Sequence, residues 1–432
     1  MQENSFLENN IMPTTQLNTT ESRREFIQKL AFSTLGVSML DNLSFGQNVN
    51  LPRFKKAKRV IYLYLNGGAS HTDTFDPKTL PEINTGINAV KTTGDFEIAG
   101  YFPKLAKHGK EFSLIRSMTS RTGAHAQGQY LVRTSYPKNN LIVHPAMGAL
   151  SYWMLGKQHG SIPDNILISG DTDHSKGGYL DKQFYPLSIV NPNEGLRYGR
   201  KSISDQVFNK RMSILNDIDK TFRQSFSLPE VTAYNTFYDE TLKLMSSSDL
   251  DLFDLNKESK ETRERYGMNQ LGQGLLLAKR LVKNNVRYVE VDNGGYDMHV
   301  DIKENMTRKS AELDTALDAL FTDLKAEGLL SETLVVIATE FGRTPKINQN
   351  EGKDHFPGAF SCLLGGLDIG GKVIGKTNET AEKILERPVS IGEFNATISH
   401  LIGIKHDHVW MSNNGRPFTV GNGDKPIHEL LT

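Results

Sequence analysis

The chain has 432 residues, with 50 Lys+Arg balanced by 50 Asp+Glu and a single Cys. That balance gives no general electrostatic reason to bind nucleic acid or anionic lipid, and leaves such binding to local patches. One Cys permits neither an internal disulfide nor a Cys-based zinc cluster, and 38% hydrophobic residues are too many for a disordered chain.

Residues 1–20 are polar and rich in Asn and Thr. Ser22-Arg23-Arg24-Glu25-Phe26-Ile27-Gln28-Lys29 follows, and then the mildly apolar stretch Leu30 to Leu40. Paired arginines, a bulky apolar residue two positions later and a short, weakly hydrophobic run resemble a twin-arginine export signal. Arg-Arg pairs also open many amphipathic surface helices; the apolar run is what favours export here. The expectation is a tail and signal over residues 1–50, delivery to the periplasm or cell envelope, and one domain over 51–432. No run of about 18 apolar residues occurs, so no transmembrane span is expected in the mature chain.

Val60 to Leu65 is an uninterrupted β-branched and aromatic run of strand length, ending in Asn66-Gly67-Gly68-Ala69-Ser70-His71-Thr72-Asp73. Val286 to Val291 leads in the same way into Asp292-Asn293-Gly294-Gly295-Tyr296-Asp297-Met298-His299, and Thr333 to Ala338 into Thr339-Glu340-Phe341-Gly342-Arg343-Thr344-Pro345. Buried strands that run into Gly-containing polar loops are where open α/β sheets place their ligands. Between them, Gln270 to Asn284 and Ile302 to Glu327 carry leucines at helical spacing; cations close the first and Gly328 ends the second. This alternation predicts an α/β fold, a doubly wound, mainly parallel sheet flanked by helices. Residues 200–265, mostly helical and highly charged, read as an insertion. Cys362, within the apolar run Ala359 to Leu364, reads as a core residue.

Asp297-x-His299 and Asp354-His355 each set a carboxylate beside an imidazole at a strand end or loop. Carboxylate oxygen with imidazole nitrogen is the ligand mixture for zinc, manganese or iron. Each pair alone is more simply a solvated turn; together with Glu340, His71 and Asp73 on successive strand-end loops they predict a metal or polar-ligand site on one sheet edge. Arg343 is placed to clamp an anion or to pair with Glu340. Ser70 is a candidate nucleophile, although the Gly-x-Ser-x-Gly elbow of a Ser-His-Asp hydrolase is missing.

Taken in order, Asn66 to Lys78, Arg265-Tyr266-Gly267, Leu277 to Val282, Gly294 to His299, Thr339 to Pro345, Lys353-Asp354-His355-Phe356 and Gly415-Arg416-Pro417-Phe418 resemble the family called domain of unknown function 1501 (DUF1501). The resemblance covers about residues 22–431. It implies an alkaline-phosphatase-like fold, shared with sulfatases, and a site for divalent metal. Of that superfamily's two-metal pattern, Asp297 and His299 match the Asp and His of one site and His355 the final His. The first strand end has Asn66 where an Asp ligand is expected. The nucleophile loop resembles Met118 to His125, with His125 near the expected position and Ser120 and Thr122 as substitutes. An expected Asp-His becomes Glu340-Phe341.

The resemblance thus implies an exported metal-dependent hydrolase acting on a small phosphate or sulfate ester, such as one borne on a glycan. Asp297, His299 and His355 would hold zinc, manganese or a similar ion, Glu340, Asp354 and Asn66 would complete or orient its shell, and Arg343, His125 or Ser70 would act on the substrate. The alternative is a catalytically inactive exported scaffold on the same fold. A protein of the DUF1800 family is the implied partner.

Overall fold

The computed structural model describes residues 56–169, 176–196, 199, 203–225 and 239–432. The twin-arginine segment and residues 200–202 and 226–238 of the expected insertion lie outside them.

The strands of the main sheet are β1 (Arg59–Leu65), β2 (Phe112–Thr119), β3 (Asn165–Ile168), β4 (Leu187–Ile189), β5 (Tyr288–Asn293), β6 (Thr333–Ala338), β7 (Phe360–Gly365), β8 (Val373–Ile374) and β9 (Val389–Ser390). Their order is β8-β2-β7-β6-β1-β5-β3-β4, with β9 beside β2. Strand β7 runs antiparallel to both its neighbours, β6 and β2; every other pairing is parallel. The mainly parallel sheet is therefore as expected, with one reversed strand that no sequence pattern marked. Because β7 reverses direction, β2 runs the same way as β6, and the carboxyl ends of β2, β6, β1 and β5 share an edge with the start of β7.

The described helices include α1 (His125–Thr134), α2 (Met147–Leu155), α3 (Asp205–Ser225), α4 (Lys260–Tyr266), α5 (Gln270–Lys283), α6 (Ile302–Ala326) and α7 (Ile391–Ile402), of which α1, α2, α5, α6 and α7 cover the sheet. The two faces of β1 show how they are divided. Ile61, Leu63 and Leu65 join a core that contains Leu275 and Leu281 of α5 and Leu313 and Leu317 of α6. Val60, Tyr62 and Tyr64 join a second core with Leu131 of α1, Leu150 of α2 and Phe394 of α7. A strand covered on both sides has no solvent face to keep polar, which is why β1, β6 and β7 are apolar apart from Arg59, Thr333 and Ser361. Cys362 is buried in β7. Helix α7 begins at a capping box, Ser390 with Glu393. Among the described residues no helix is long and apolar enough to cross a membrane.

Candidate functional site

Three parallel strands, β6, β1 and β5, lie side by side, and the loops leaving their carboxyl ends meet. The loop after β1 closes on the loop after β5: Asn66 N–H donates to Asn293 O at 3.0 Å and Tyr296 N–H to Asn66 O at 3.2 Å. Gly67 sits at φ +119, and a Cβ there would stand 2.5 Å from Asp297 N, so both the backbone angle and the contact require glycine. A two-stranded ribbon sets Arg343 of the β6 loop opposite His355, and Lys353 N–H donates to Met298 O at 3.0 Å. Helix α1 brings His125 in as its first residue.

These connections surround the Asp297 carboxylate with three imidazoles. His299 Nε2 is 3.0 Å, His355 Nε2 3.2 Å and His125 Nε2 3.3 Å from Asp297 Oδ1. Each ring is oriented from its other nitrogen. His125 Nδ1 bonds Glu340 Oε1 at 2.7 Å, His299 Nδ1 bonds Asp354 Oδ1 at 2.9 Å, and His355 Nδ1 bonds the Gly123 carbonyl at 2.7 Å. A carboxylate or carbonyl oxygen only accepts, so each Nδ1 donates; Asp297 Oδ1 likewise only accepts, so each Nε2 beside it is suited either to carry a proton or to turn its lone pair to a cation. His299 Nε2 and His355 Nε2 lie 3.0 Å apart, where two lone pairs repel unless a proton or a cation sits between them. His125 Nε2 is buried and, although within ion-pair distance of Asp297, makes no hydrogen bond. The Phe341 ring packs against both His125 and His355, with centroids 5.0 and 4.9 Å away. Among the described residues, His125, Asp297 and His355 offer ligand atoms within 4.8 Å of one another.

Arg343 is fully buried behind this cluster. Its Nε donates to Gly68 O at 2.9 Å, Nη1 to Lys353 O at 3.0 Å and to His299 Nε2 at 3.2 Å, and Nη2 to Gly67 O and Asp297 Oδ1. All five N–H groups are committed, so no donor remains to clamp an anion, and its carboxylate partner is Asp297 rather than Glu340. Partial burial alone would raise the Asp297 pKa; the Arg343 guanidinium, with His355 and His125, outweighs it and holds the carboxyl well below the usual range.

Glu340 and Asn66 stand behind the ring of ligand atoms, not in it. The buried Glu340 carboxylate accepts from His125 Nδ1, from Tyr64 OH at 2.7 Å, from Gly67 N–H at 3.0 Å and from Thr339 Oγ1 at 3.1 Å. Burial pushes its pKa up, but the bonds from His125 and Tyr64 bring the net shift below the ordinary value. The Asn66 amide donates to Asp292 and accepts from Gln129 Nε2 at 2.8 Å. Ser70 is buried and donates to Asp73 Oδ2 at 2.5 Å, within a network completed by Lys353, whose ammonium donates to Asp73 Oδ2 at 2.5 Å and Thr72 Oγ1 at 2.7 Å. Its hydroxyl is thereby tied into a structural ion pair. Ser120 and Thr122 are engaged in the turn before α1: Ser120 Oγ donates to Thr122 O, and Thr122 Oγ1 accepts from Ala124 N–H. His71 is buried against Ala381 O, and burial lowers its pKa.

Sequence reasoning missed the polar group next to this cluster. Arg133 Nε bonds Glu290 Oε1 at 2.8 Å, its Nη2 bonds Asp292 Oδ2 at 3.2 Å, and its guanidinium lies 3.9 Å above the Tyr64 ring. His125, Gln129 and Arg133 recur every four residues along one face of α1, and Glu290 and Asp292 alternate within an otherwise apolar strand; those two spacings were the available signals. Burial pushes the Asp292 carboxyl up to about 6 despite Arg133. Folded Asp292 therefore keeps its proton to higher pH than the unfolded chain does, whose Asp pKa is about 3.9. Stability from this group is complete in acid and is lost as pH rises from about 4 to about 6, on the order of 3 kcal/mol. Asp292→Asn is expected to remove that slope and to be the more stable protein at neutral pH, read from urea midpoints across the pH range. An unchanged slope in the variant would assign it to another group.

Several solved structures resemble the chain at low identity. The PsFucS1 sulfatase from Pseudoalteromonas sp. is 12% identical over 86% of this chain and 71% of that one, with a TM-score of 0.37. A protein in the alkaline phosphatase superfamily from Vibrio parahaemolyticus is 12% identical over 84% of this chain and 72% of its own, with a TM-score of 0.35. The lipoteichoic acid synthase LtaP from Listeria monocytogenes is 13% identical over 92% and 81%, with a TM-score of 0.35. No curated protein matches the sequence. The model of one family, described as protein of unknown function (DUF1501), matches residues 57–431, nearly all of the described domain, and the chain belongs to that family.

Proposed function

We propose that this chain is an exported, metal-dependent hydrolase that acts on a phosphate or sulfate ester at the edge of its sheet, with Asp297, His125, His299 and His355 holding one divalent cation. The observation that carries the reading is the inward turn of three Nε2 atoms around Asp297 Oδ1, with every Nδ1 held by an acceptor. The orphaned, buried His125 Nε2 fits such an ion, and nitrogen and oxygen donors suit zinc or manganese. A bound cation would polarise an ester oxygen and activate water. The side chains do the rest: Glu340, Asp354 and the Gly123 carbonyl each hold one Nδ1–H and so orient the three rings, and Arg343 holds the Asp297 carboxylate ionised. With Ser70 tied to Asp73, and Ser120 and Thr122 tied into their turn, water is the attacking group in this reading.

Metal analysis of protein purified without chelator, followed by assay with aryl phosphates and aryl sulfates, tests the proposal. Near-stoichiometric divalent metal and turnover lost in Asp297→Ala are expected. Asp354→Asn, which leaves a ligand in place but weakens its orientation, should lower metal affinity about 10–100-fold. A metal-free protein with no turnover above the Asp297→Ala control would sink the hydrolase.

One observation favours the second reading, a catalytically silent scaffold. Arg343 already neutralises Asp297 and donates to His299 Nε2, so the cluster has a fixed cation of its own. On this reading the exported chain works through a partner, with a DUF1800 protein as the candidate to seek by pull-down. Export itself is tested by replacing Arg23 and Arg24 with lysines, which should retain the protein in the cytoplasm.

A further inference from the structure

The surface carries one concentrated apolar area away from the histidine cluster. Among the described residues eleven large hydrophobic side chains are exposed, and five of them, Leu141, Val143, Trp153, Val409 and Met411, belong to neighbouring segments. Leu141 is 71% exposed, Met411 59% and Val409 55%. An aromatic layer joins these segments. The Trp153 ring centroid lies 5.9 Å from that of Trp410, Trp410 lies 5.0 Å from Phe418, and Phe418 lies 5.2 Å from Tyr179. Tyr179 N–H donates to Val143 O at 3.0 Å, and the Asn413 amide donates to Tyr179 O at 3.1 Å. The loop carrying Leu141 and Val143 and the hairpin of Trp410–Met411 with Pro417–Phe418 therefore share one support.

Charge in these segments is one-sided, although the whole chain sums to zero. Residues 136–144 and 404–417 hold Lys138, Lys405 and Arg416 against one carboxylate, Asp407, with His406 and His408 alongside. Lys56 adds a further cation: its side chain lies over Gly403, and Ala57 N–H donates to Leu401 O at 2.8 Å.

Apolar side chains on exposed loops, a half-open indole and flanking lysines are the composition that enters a headgroup layer: the tips leave water, the indole takes the interface and the cations meet phosphate. We infer that this face is a peripheral binding surface for membranes rich in anionic lipid. A protein partner is the competing occupant. Lysine is depleted in protein interfaces, and three of the four cations here are lysines, which favours lipid.

Flotation of the full chain with phosphatidylglycerol-containing vesicles, against pure phosphatidylcholine vesicles, tests the inference. Wild type and variants share residues 1–55, so their difference isolates the face. Wild type should float with the anionic vesicles alone and dissociate as salt is raised. Leu141→Asp/Met411→Asp and Lys138→Glu/Arg416→Glu should each lower the bound fraction about tenfold or more, with unchanged circular dichroism because the side chains are exposed. Wild type that ignores both vesicles, or variants that float as wild type does, would overturn the inference. If wild type ignores vesicles while the variants lose a native envelope protein, the face is a protein interface and the lipid assignment falls.

Discussion

An Arg343→Leu protein is expected to lose about 3–5 kcal/mol of stability, because three buried carbonyls lose their donor, while the half-exposed Asp297 carboxylate can turn to water. The substitution removes every donor from a fully buried position and leaves the carbonyls of Gly67, Gly68 and Lys353 facing an isobutyl group. Each stranded buried acceptor costs about 1–3 kcal/mol before relaxation. The loss is also geometric, since these carbonyls belong to the loop after β1 and the segment before His355, while Asp297 belongs to the loop after β5. One guanidinium holds all three. Metal binding, if the proposed cation is present, should fall with stability. Arg343→Lys keeps the charge but has three donors around a point rather than five in a plane, so it should rescue part of the stability and little of the alignment of Asp297. A urea midpoint for Arg343→Leu within about 0.5 kcal/mol of wild type would show that the guanidinium is dispensable.

Lys353→Met is expected to cost a similar amount, about 3–5 kcal/mol, for a different reason. The Lys353 ammonium and the Asp73 carboxylate are both buried, and the ammonium also donates to Thr72 Oγ1 and, at 3.2 Å, to Ile83 O. Methionine fills much of the volume but leaves Asp73 as a buried anion with only hydroxyl donors, Ser70 and Thr72. The double variant Lys353→Met/Asp73→Leu removes both charges and should recover most of the loss, because a buried pair contributes little net stability against an apolar replacement. Lys353 directly precedes Asp354 and His355, so the single variant should also weaken any metal bound at the cluster. If single and double variants are equally destabilised, packing rather than charge explains the effect.

The histidine cluster was partly visible before folding. Asp297, His299, Asp354 and His355 stand out because carboxylates and imidazoles are adjacent in sequence at strand ends, and all four do come together. Their roles did not follow from that proximity. Asp354 reaches only His299 Nδ1 and Asn348, while Asp297 Oδ1 lies near three Nε2 atoms. Glu340 has the chemistry of a ligand, yet its strand-end position buries it against Tyr64 and turns it to His125 Nδ1. Asn66 sits one residue beyond β1 and meets Asp292 and Gln129 instead of the cluster. Lys353 gave no local signal and Arg133 only its four-residue spacing from Gln129 and His125, since a charged residue in a helix or loop is ordinarily solvated. Burial of each depends on partners 157 and 280 residues away in the chain.

What the sequence alone determined is local and periodic. Uninterrupted apolar runs at Val60 to Leu65 and Thr333 to Ala338 require strands covered on both faces, leucines at helical spacing require α5 and α6, and Gly67 requires a turn. One Cys also excluded any metal shell built on a cluster of thiolates, whatever the fold. Only the tertiary structure decided the reversal of β7, the assignment of Arg343 to Asp297 rather than to Glu340 or a ligand, and the aromatic layer that joins Trp153 to Trp410, Phe418 and Tyr179. Periodicity reports which face of an element is covered. It does not report which distant side chain arrives there, because hydrogen-bond direction and buried charge compensation are settled only when the strand-end loops close on one another.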